Sequence, residues 1–370
     1  MKDLPRFHFL LALALSASPL AAQTWRMQYF YDKADSSLSF NDIQFPSPAR
    51  GVATGFIAKG GHSRPVALVT SDGGAHWQIT ELKESPVSLF FLNENFGWMV
   101  TTKGLWATRE AGRSWHKLPK VPGEIFRVYF ATQQHGWAAG ARKKIFETRD
   151  GGQHWTAVAA AAGLPGEPQY SAYTWIAFVT PQTGIITGWN QPPEHHGINV
   201  PDWMDPKSSI ERRETPHLSY QLTTYDGGKH WTPESASLFG SVTRVRFSKS
   251  GIGLGLIQFG STFEYPSEVY RIEYRSDGNS VMAYRNKKIA ITDLGFTPDG
   301  TAYLAGVEEP GQLRDVVPGK VKVLKSSDYQ NWIEMPVDYR AEATGVVLAI
   351  ADDHNLWLAT DGGMILKLAP

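Results

Sequence analysis

Three stretches of the chain repeat a carboxylate, two glycines, a histidine and a tryptophan in fixed order. Thr70-Ser71-Asp72-Gly73-Gly74-Ala75-His76-Trp77 recurs as Thr148-Arg149-Asp150-Gly151-Gly152-Gln153-His154-Trp155 and as Thr224-Tyr225-Asp226-Gly227-Gly228-Lys229-His230-Trp231. Carboxylates do acid and base chemistry, so Asp72, Asp150 and Asp226 are the first catalytic candidates. Their repetition at equivalent hairpins favours a structural role instead. Asp at a turn bonds backbone amides, Thr or Ser supports it, and Gly supplies the positive φ of a tight hairpin. A Trp lying back over the turn buries well over ~100 Å², worth a few kcal/mol at about 25 cal/mol per Å².

Weaker copies widen the set. Thr108 to Trp115 keeps the spacing with Glu110, Gly112 and Trp115, and Ser326 to Trp332 is one residue shorter with Asp328 and Trp332. Ser276-Asp277-Gly278 and Thr360-Asp361-Gly362-Gly363 lack the Trp. The structural turn residues are therefore Asp72, Gly74, Trp77, Glu110, Gly112, Trp115, Asp150, Gly152, Trp155, Asp226, Gly228, Trp231, Asp328 and Trp332.

Glu194-His195-His196, Asp202, Asp205 and His217 lie close together in sequence. Metal sites use such residues, but no ordered spacing such as His-x-x-x-His is present, and Gln191-Pro192-Pro193 and Val200-Pro201-Asp202-Trp203 indicate an irregular loop. No metal and no cofactor are expected. Long loops on rigid scaffolds carry function, so His195, His196, Asp202, Trp203 and Met204 are candidate partner contacts, with Trp203 and Met204 as anchors.

The elements that hold these turns follow a second repeat. A turn residue followed by a small or aromatic apolar strand occurs at Gly51, Gly97, Gly136, Gly184, Gly251, Gly300 and Asn355. Alternating apolar strands precede it, as in Val87 to Phe91, Ile125 to Phe130, Trp175 to Val179, Val242 to Phe247 and Ile291 to Phe296. Four short antiparallel strands returning in register predict an all-β, seven-bladed β-propeller. The segment from 190 to 216 is an insertion between strands of the fourth blade, and the fifth blade has lost its Trp. Leu356 to Thr360 and Met364 to Leu368 leave the last blade short of an outer strand. Trp25 to Tyr31 can supply it and remove the open edge.

Lys2 and Arg6, the apolar stretch Phe9 to Leu15 and the small-residue region ending Ala21-Ala22 form an export signal, with cleavage expected after Ala22. The mature propeller then spans 23–370 and is exported to a periplasm or secreted. There are no Cys residues among the 370, so disulfides, thiol chemistry and a lipid-attachment cysteine are excluded. With 36 basic and 36 acidic residues, the overall charge gives no reason to expect nucleic acid. No later run is long enough to cross a bilayer as a helix, and a monomer is expected.

The repeated turn resembles the bacterial neuraminidase repeat, or Asp-box, and the mature chain is similar to the photosystem II assembly and stability factor family over roughly residues 25 to 370. That resemblance implies a seven-bladed, non-catalytic propeller that binds a protein partner or assembly intermediate. No conspicuous arginine cluster stands out along the sequence. Asp-box repeats also occur in sialidases, xyloglucan hydrolases and sortilin-type receptors, so a glycan-active protein is the second reading, with a glycan as ligand. A hydrolase would need a carboxylate pair across the channel, drawn from Asp42, Asp293, Asp299, Asp352 or Asp353. Tyr270-Arg271-Ile272-Glu273 faintly resembles the sialidase Arg-Ile-Pro signature but lacks its Pro, and plain strand alternation accounts for it.

Overall fold

Residues 23–193, 216–260, 263–273, 280–308 and 317–370 are described by a computed structural model of the chain. Alternating side chains build seven antiparallel sheets, arranged as the blades of a β-propeller. Blade 1 runs outward through Ser36–Gln44, Gly51–Lys59, His62–Thr70 and Gln78–Glu81. The inner strands of blades 2 to 7 are Pro86–Phe91, Ile125–Phe130, Ser171–Thr180, Ser241–Phe247, Ile289–Phe296 and Val346–Ile350. Blade 6 carries an extra short strand, Glu342–Ala343, beside Gly319–Ser326. No helix among the described residues is long and apolar enough to cross a membrane.

The expected ring closure is present. Thr24–Phe30 pairs antiparallel with Met364–Ala369, so the two ends of the chain share blade 7. The linker leaving blade 6 clasps the same strand: the Trp25 amide donates to Pro336 O at 2.8 Å, and the Asp338 amide donates to Trp25 O at 2.8 Å. Trp25 is fully buried against Leu356, Leu358 and Leu366.

A Phe–Gly pair sets the end of most inner strands. A Cβ on Gly51, Gly97, Gly136 or Gly184 would lie 2.5 to 2.6 Å from the ring of Phe45, Phe91, Phe130 or Phe178. The missing side chain is what admits the ring. The turn Trp then meets the same Phe edge-on, with centroids 5.8 Å apart for Trp77–Phe45 and 6.2 Å for Trp231–Phe178. In blade 5 the equivalent glycine is Gly253, against Phe247, rather than the expected Gly251, which occupies the preceding turn at φ +87°. Thr360-Asp361-Gly362-Gly363 also departs from expectation. It joins the second and third strands of blade 7, Leu356–Thr360 and Met364–Ala369, whereas the repeated turns join third to fourth.

Candidate functional site at the central channel

Six inner strands shift register by one residue near the same place, between Phe40 and Asp42, Pro86 and Ser88, Ile125 and Arg127, Tyr173 and Trp175, Val242 and Arg244, and Ile291 and Asp293. Such bulges re-aim the side chains that follow. The residues after the shift therefore occupy one ring position: Asp42, Ser88, Arg127, Trp175, Arg244 and Asp293, with Val347 in blade 7.

Each of these side chains meets the next blade. Asp42 Oδ2 accepts from the Leu89 amide at 2.8 Å, Ser88 Oγ donates to Phe126 O at 2.7 Å, and Trp175 Nε1 donates to Val245 O at 2.7 Å. Arg244 Nε lies 3.3 Å from Asp293 Oδ1, whose other oxygen accepts from the Leu348 amide at 2.9 Å. Arg127 stacks over Trp175 at 4.0 Å, and Val347 packs against the blade 1 cluster around Ile43 and Phe45.

Cations gather at one sector of this ring. The guanidinium carbons of Arg127, Arg244 and Arg246 lie 4.0, 4.7 and 4.8 Å from the centroid of the Trp175 ring. The structure thus assembles the arginine cluster that is not visible along the sequence, because its members come from blades 3 and 5 and meet only across blade 4. Arg244 is satisfied by Asp293 and by Thr243 O. Arg127 and Arg246 have no hydrogen-bond acceptor or ion-pair partner among the described residues.

Burial holds the Arg127 pKa down at about 10, with Asp42 pulling it up and Arg244 and Arg246 pushing it down. Arg246 is lowered by burial too, Asp293 opposing the shift. Both remain charged at neutral pH. They border a cavity of about 300 Å³ whose other walls include Phe90, Tyr129 and Phe178. Two partly desolvated cations beside aromatic walls suit an anionic group carried on an apolar chain.

The carboxylates expected at the channel divide into two groups. Asp42 and Asp293 are there, but their oxygens are taken: Asp42 Oδ1 by the Ile43 amide, Asp293 Oδ1 by the Leu294 amide and Arg244, and each Oδ2 by the next blade. Asp299, Asp352 and Asp353 lie instead in the turns that follow the inner strands of blades 6 and 7. Tyr270–Glu273 falls in the third strand of blade 5, where Arg271 pairs with Glu273 and the Tyr270 hydroxyl donates to Glu268 at 2.7 Å.

The turn residues form one repeated network. Thr70 Oγ1 donates to Asp72 Oδ1 at 2.8 Å and accepts from the Gly74 amide at 2.9 Å, while Asp72 Oδ1 accepts from the His76 amide at 2.9 Å. Thr148–Asp150–Gly152–His154 and Thr224–Asp226–Gly228–His230 repeat these bonds. Thr108 likewise holds Gly112, and Glu110 accepts from Ser114 Oγ. Trp115 meets Phe91 at 6.2 Å and Trp155 meets Phe130 at 6.3 Å. In blade 6 the roles change: Tyr329 meets Phe296 edge-on, and Trp332 turns to blade 5, donating to Ala283 O at 2.9 Å. His195, His196, Asp202, Trp203 and Met204 lie outside the described residues, on the segment between the second and third strands of blade 4.

No family model matches the chain. It is 22% identical over 308 residues to the photosystem II assembly lipoprotein Ycf48 of Synechococcus sp. (strain CC9902), covering 80% of this chain and 77% of that protein. It is 21% identical over 291 residues to the chloroplastic photosystem II stability/assembly factor HCF136 of Arabidopsis thaliana, covering 74% and 64%. Among solved structures, YCF48 bound to D1 peptide superposes with a TM-score of 0.59 at 16% identity, over 92% of this chain and 99% of that one. YCF48 from Cyanidioschyzon merolae gives the same TM-score over 95% and 99%. With seven four-stranded blades closed by its first strand, the chain is a β-propeller that is similar in sequence and fold to the photosystem II assembly factors.

Proposed function

We propose that this chain is an exported, non-catalytic scaffold that binds an extended segment of a protein partner through an anionic group seated between Arg127 and Arg246. The observation that carries this is the pair of guanidinium groups without an acceptor among the described residues, stacked on Trp175 at the edge of an aromatic cavity. A peptide supplies both halves of that complement, a carboxylate and an apolar backbone or side chain. The relatives support the reading, since they are assembly factors and one was solved with a bound peptide. The chemistry asks for an anionic peptide and does not require that its source be a photosystem.

Non-catalysis rests on the carboxylates. A glycosidase needs two free carboxyl groups flanking one bond, and both channel candidates, Asp42 and Asp293, spend their oxygens on backbone amides. The repeated turns are structural in this account, each Asp being consumed by its own hairpin. The leader ending at Ala22 directs export, and His195, His196, Asp202, Trp203 and Met204 supply partner contacts beyond the arginine site. The test is fluorescence anisotropy with short labelled peptides bearing either a free or an amidated C-terminus, acidic or neutral in sequence. Anionic peptides bind and neutral amidated ones do not; equal affinity for both classes removes the arginine site from the account.

A further inference from the structure

Ring closure by the first strand leaves a gap elsewhere in the molecule. At three blade boundaries a turn of one blade packs on the second strand of the blade before it: a Cβ on Gly112 would lie 2.4 Å from Val52, and one on Gly228 2.5 Å from Trp137, while Trp357 Nε1 donates to Gly73 O at 3.2 Å. Blade 7 has no such turn, because its third and fourth strands, Met364–Ala369 and Thr24–Phe30, come from opposite ends of the chain. The second strand of blade 6, with Tyr303 at the position equivalent to Trp137 and Trp357, therefore has no such turn over it among the described residues.

The space left is a cavity of about 420 Å³ between blades 6 and 7, bordered by Tyr303, Asp299, Asp353, Asp328, Lys325 and His354. The Tyr303 side chain is only 3% exposed, and its hydroxyl, which has no hydrogen-bond partner among the described residues, opens on this cavity. That hydroxyl can donate to or accept from a molecule in the cavity.

The carboxylates around it are half-engaged. Asp299 Oδ1 accepts from Thr297 Oγ1 and the Thr301 amide, and Asp353 Oδ1 accepts from the Asp299 amide at 2.8 Å. Neither Oδ2 has a partner among the described residues. Asp328 is consumed by its own turn, and Lys325 is tied to Gln23 Oε1 at 3.3 Å.

We propose that this cavity is a binding site for a small organic ammonium compound, held by Asp299, Asp353 and the Tyr303 hydroxyl. Three carboxylates face one lysine and one imidazole, which selects a cation. The space far exceeds that of a bare ion, and no group of three metal-ligating side chains occurs among the described residues, which selects an organic cation over a metal. The site is separate from the arginine cluster and does not rest on the peptide reading.

Calorimetric titration of the purified protein with putrescine in low-salt buffer, alongside magnesium chloride alone, tests this. Putrescine saturates one site in the wild type; Asp299→Asn combined with Asp353→Asn weakens it by about tenfold or more, and Tyr303→Phe by about threefold to tenfold. Thermal melting of each variant verifies that it is folded, Tyr303→Phe being nearly isosteric. The proposal is overturned if putrescine gives no saturable heat up to about 10 mM, roughly the weakest affinity a specific site would show. Unchanged binding in both variants, or magnesium occupying the site in preference to putrescine, overturns it as well.

Discussion

Asp42 and Asp293 lie in blades 1 and 6 at the same register position and form the same bridge. Each carboxylate accepts from the amide of its own following residue, Ile43 or Leu294, and with its other oxygen from an inner-strand amide of the next blade, Leu89 or Leu348. Only Asp293 also meets a cation, Arg244 at 3.3 Å. Carboxylates that sequence alone offers as catalytic are thus blade-to-blade connectors.

Asp293 is nearly fully buried and carries two amide bonds and an ion pair, so Asp293→Asn should destabilise by roughly 3 kcal/mol, and Asp42→Asn, which breaks no ion pair, by about half as much. Urea unfolding of the two variants measures the difference. Equal losses would show that the Arg244 contact contributes nothing.

Closure of the ring should depend on Trp25, which is fully buried and linked to both blade 7 and the blade 6 linker. Trp25→Ala is expected to cost about 3–5 kcal/mol. Proteolytic trimming to residue 35 with no fall in melting temperature would contradict the closure energetics.

Gly228 is at φ +82°, and a Cβ there would lie 2.5 Å from the buried ring of Trp137. Gly228→Ala combines backbone strain with overpacking and should cost about 2–4 kcal/mol. Gly60, at φ +56° with open space around it, is the control: Gly60→Ala should lose only the backbone part.

Bonds from the amide and side chain of the histidine four residues on, with help from Thr, lower Asp72, Asp150 and Asp226 from 3.8 to about 2. A depressed native pKa gives stability that is present above the unfolded value near ~4 and lost as pH falls through about 2. Stability should therefore fall between about pH 4 and 2, and the triple Asp→Asn variant should show a shallower slope in that window. An unchanged slope in acid urea titrations would detach these turns from acid stability.

The blades were legible because their signals are local: an alternating strand, a turn residue opening the next apolar strand and a turn whose Asp, Gly and Trp lie within eight residues. Closure was legible too, since Met364–Ala369 lacked a partner and Trp25–Tyr31 had strand pattern. The arginine site was not. A one-residue shift between Tyr173 and Trp175 re-aims Trp175, and period-two alternation cannot reveal it. Arg127 is on the inner strand of blade 3 and Arg244 and Arg246 on that of blade 5, so no local spacing links the three. Thr360-Asp361-Gly362-Gly363 misled for the opposite reason, because a composition that suits one tight turn suits another.

The most direct test of the scaffold reading is anisotropy titration of one labelled anionic peptide against wild type and the Arg127→Ala, Arg246→Ala double variant, at low and at high salt. Saturable, salt-sensitive binding is expected in the wild type and at least about a tenfold loss in the variant, worth about 1.4 kcal/mol. Its stability should be unchanged or raised, since two crowded cations are gone. Undiminished peptide affinity in a folded double variant would contradict the claim that these arginines hold the partner.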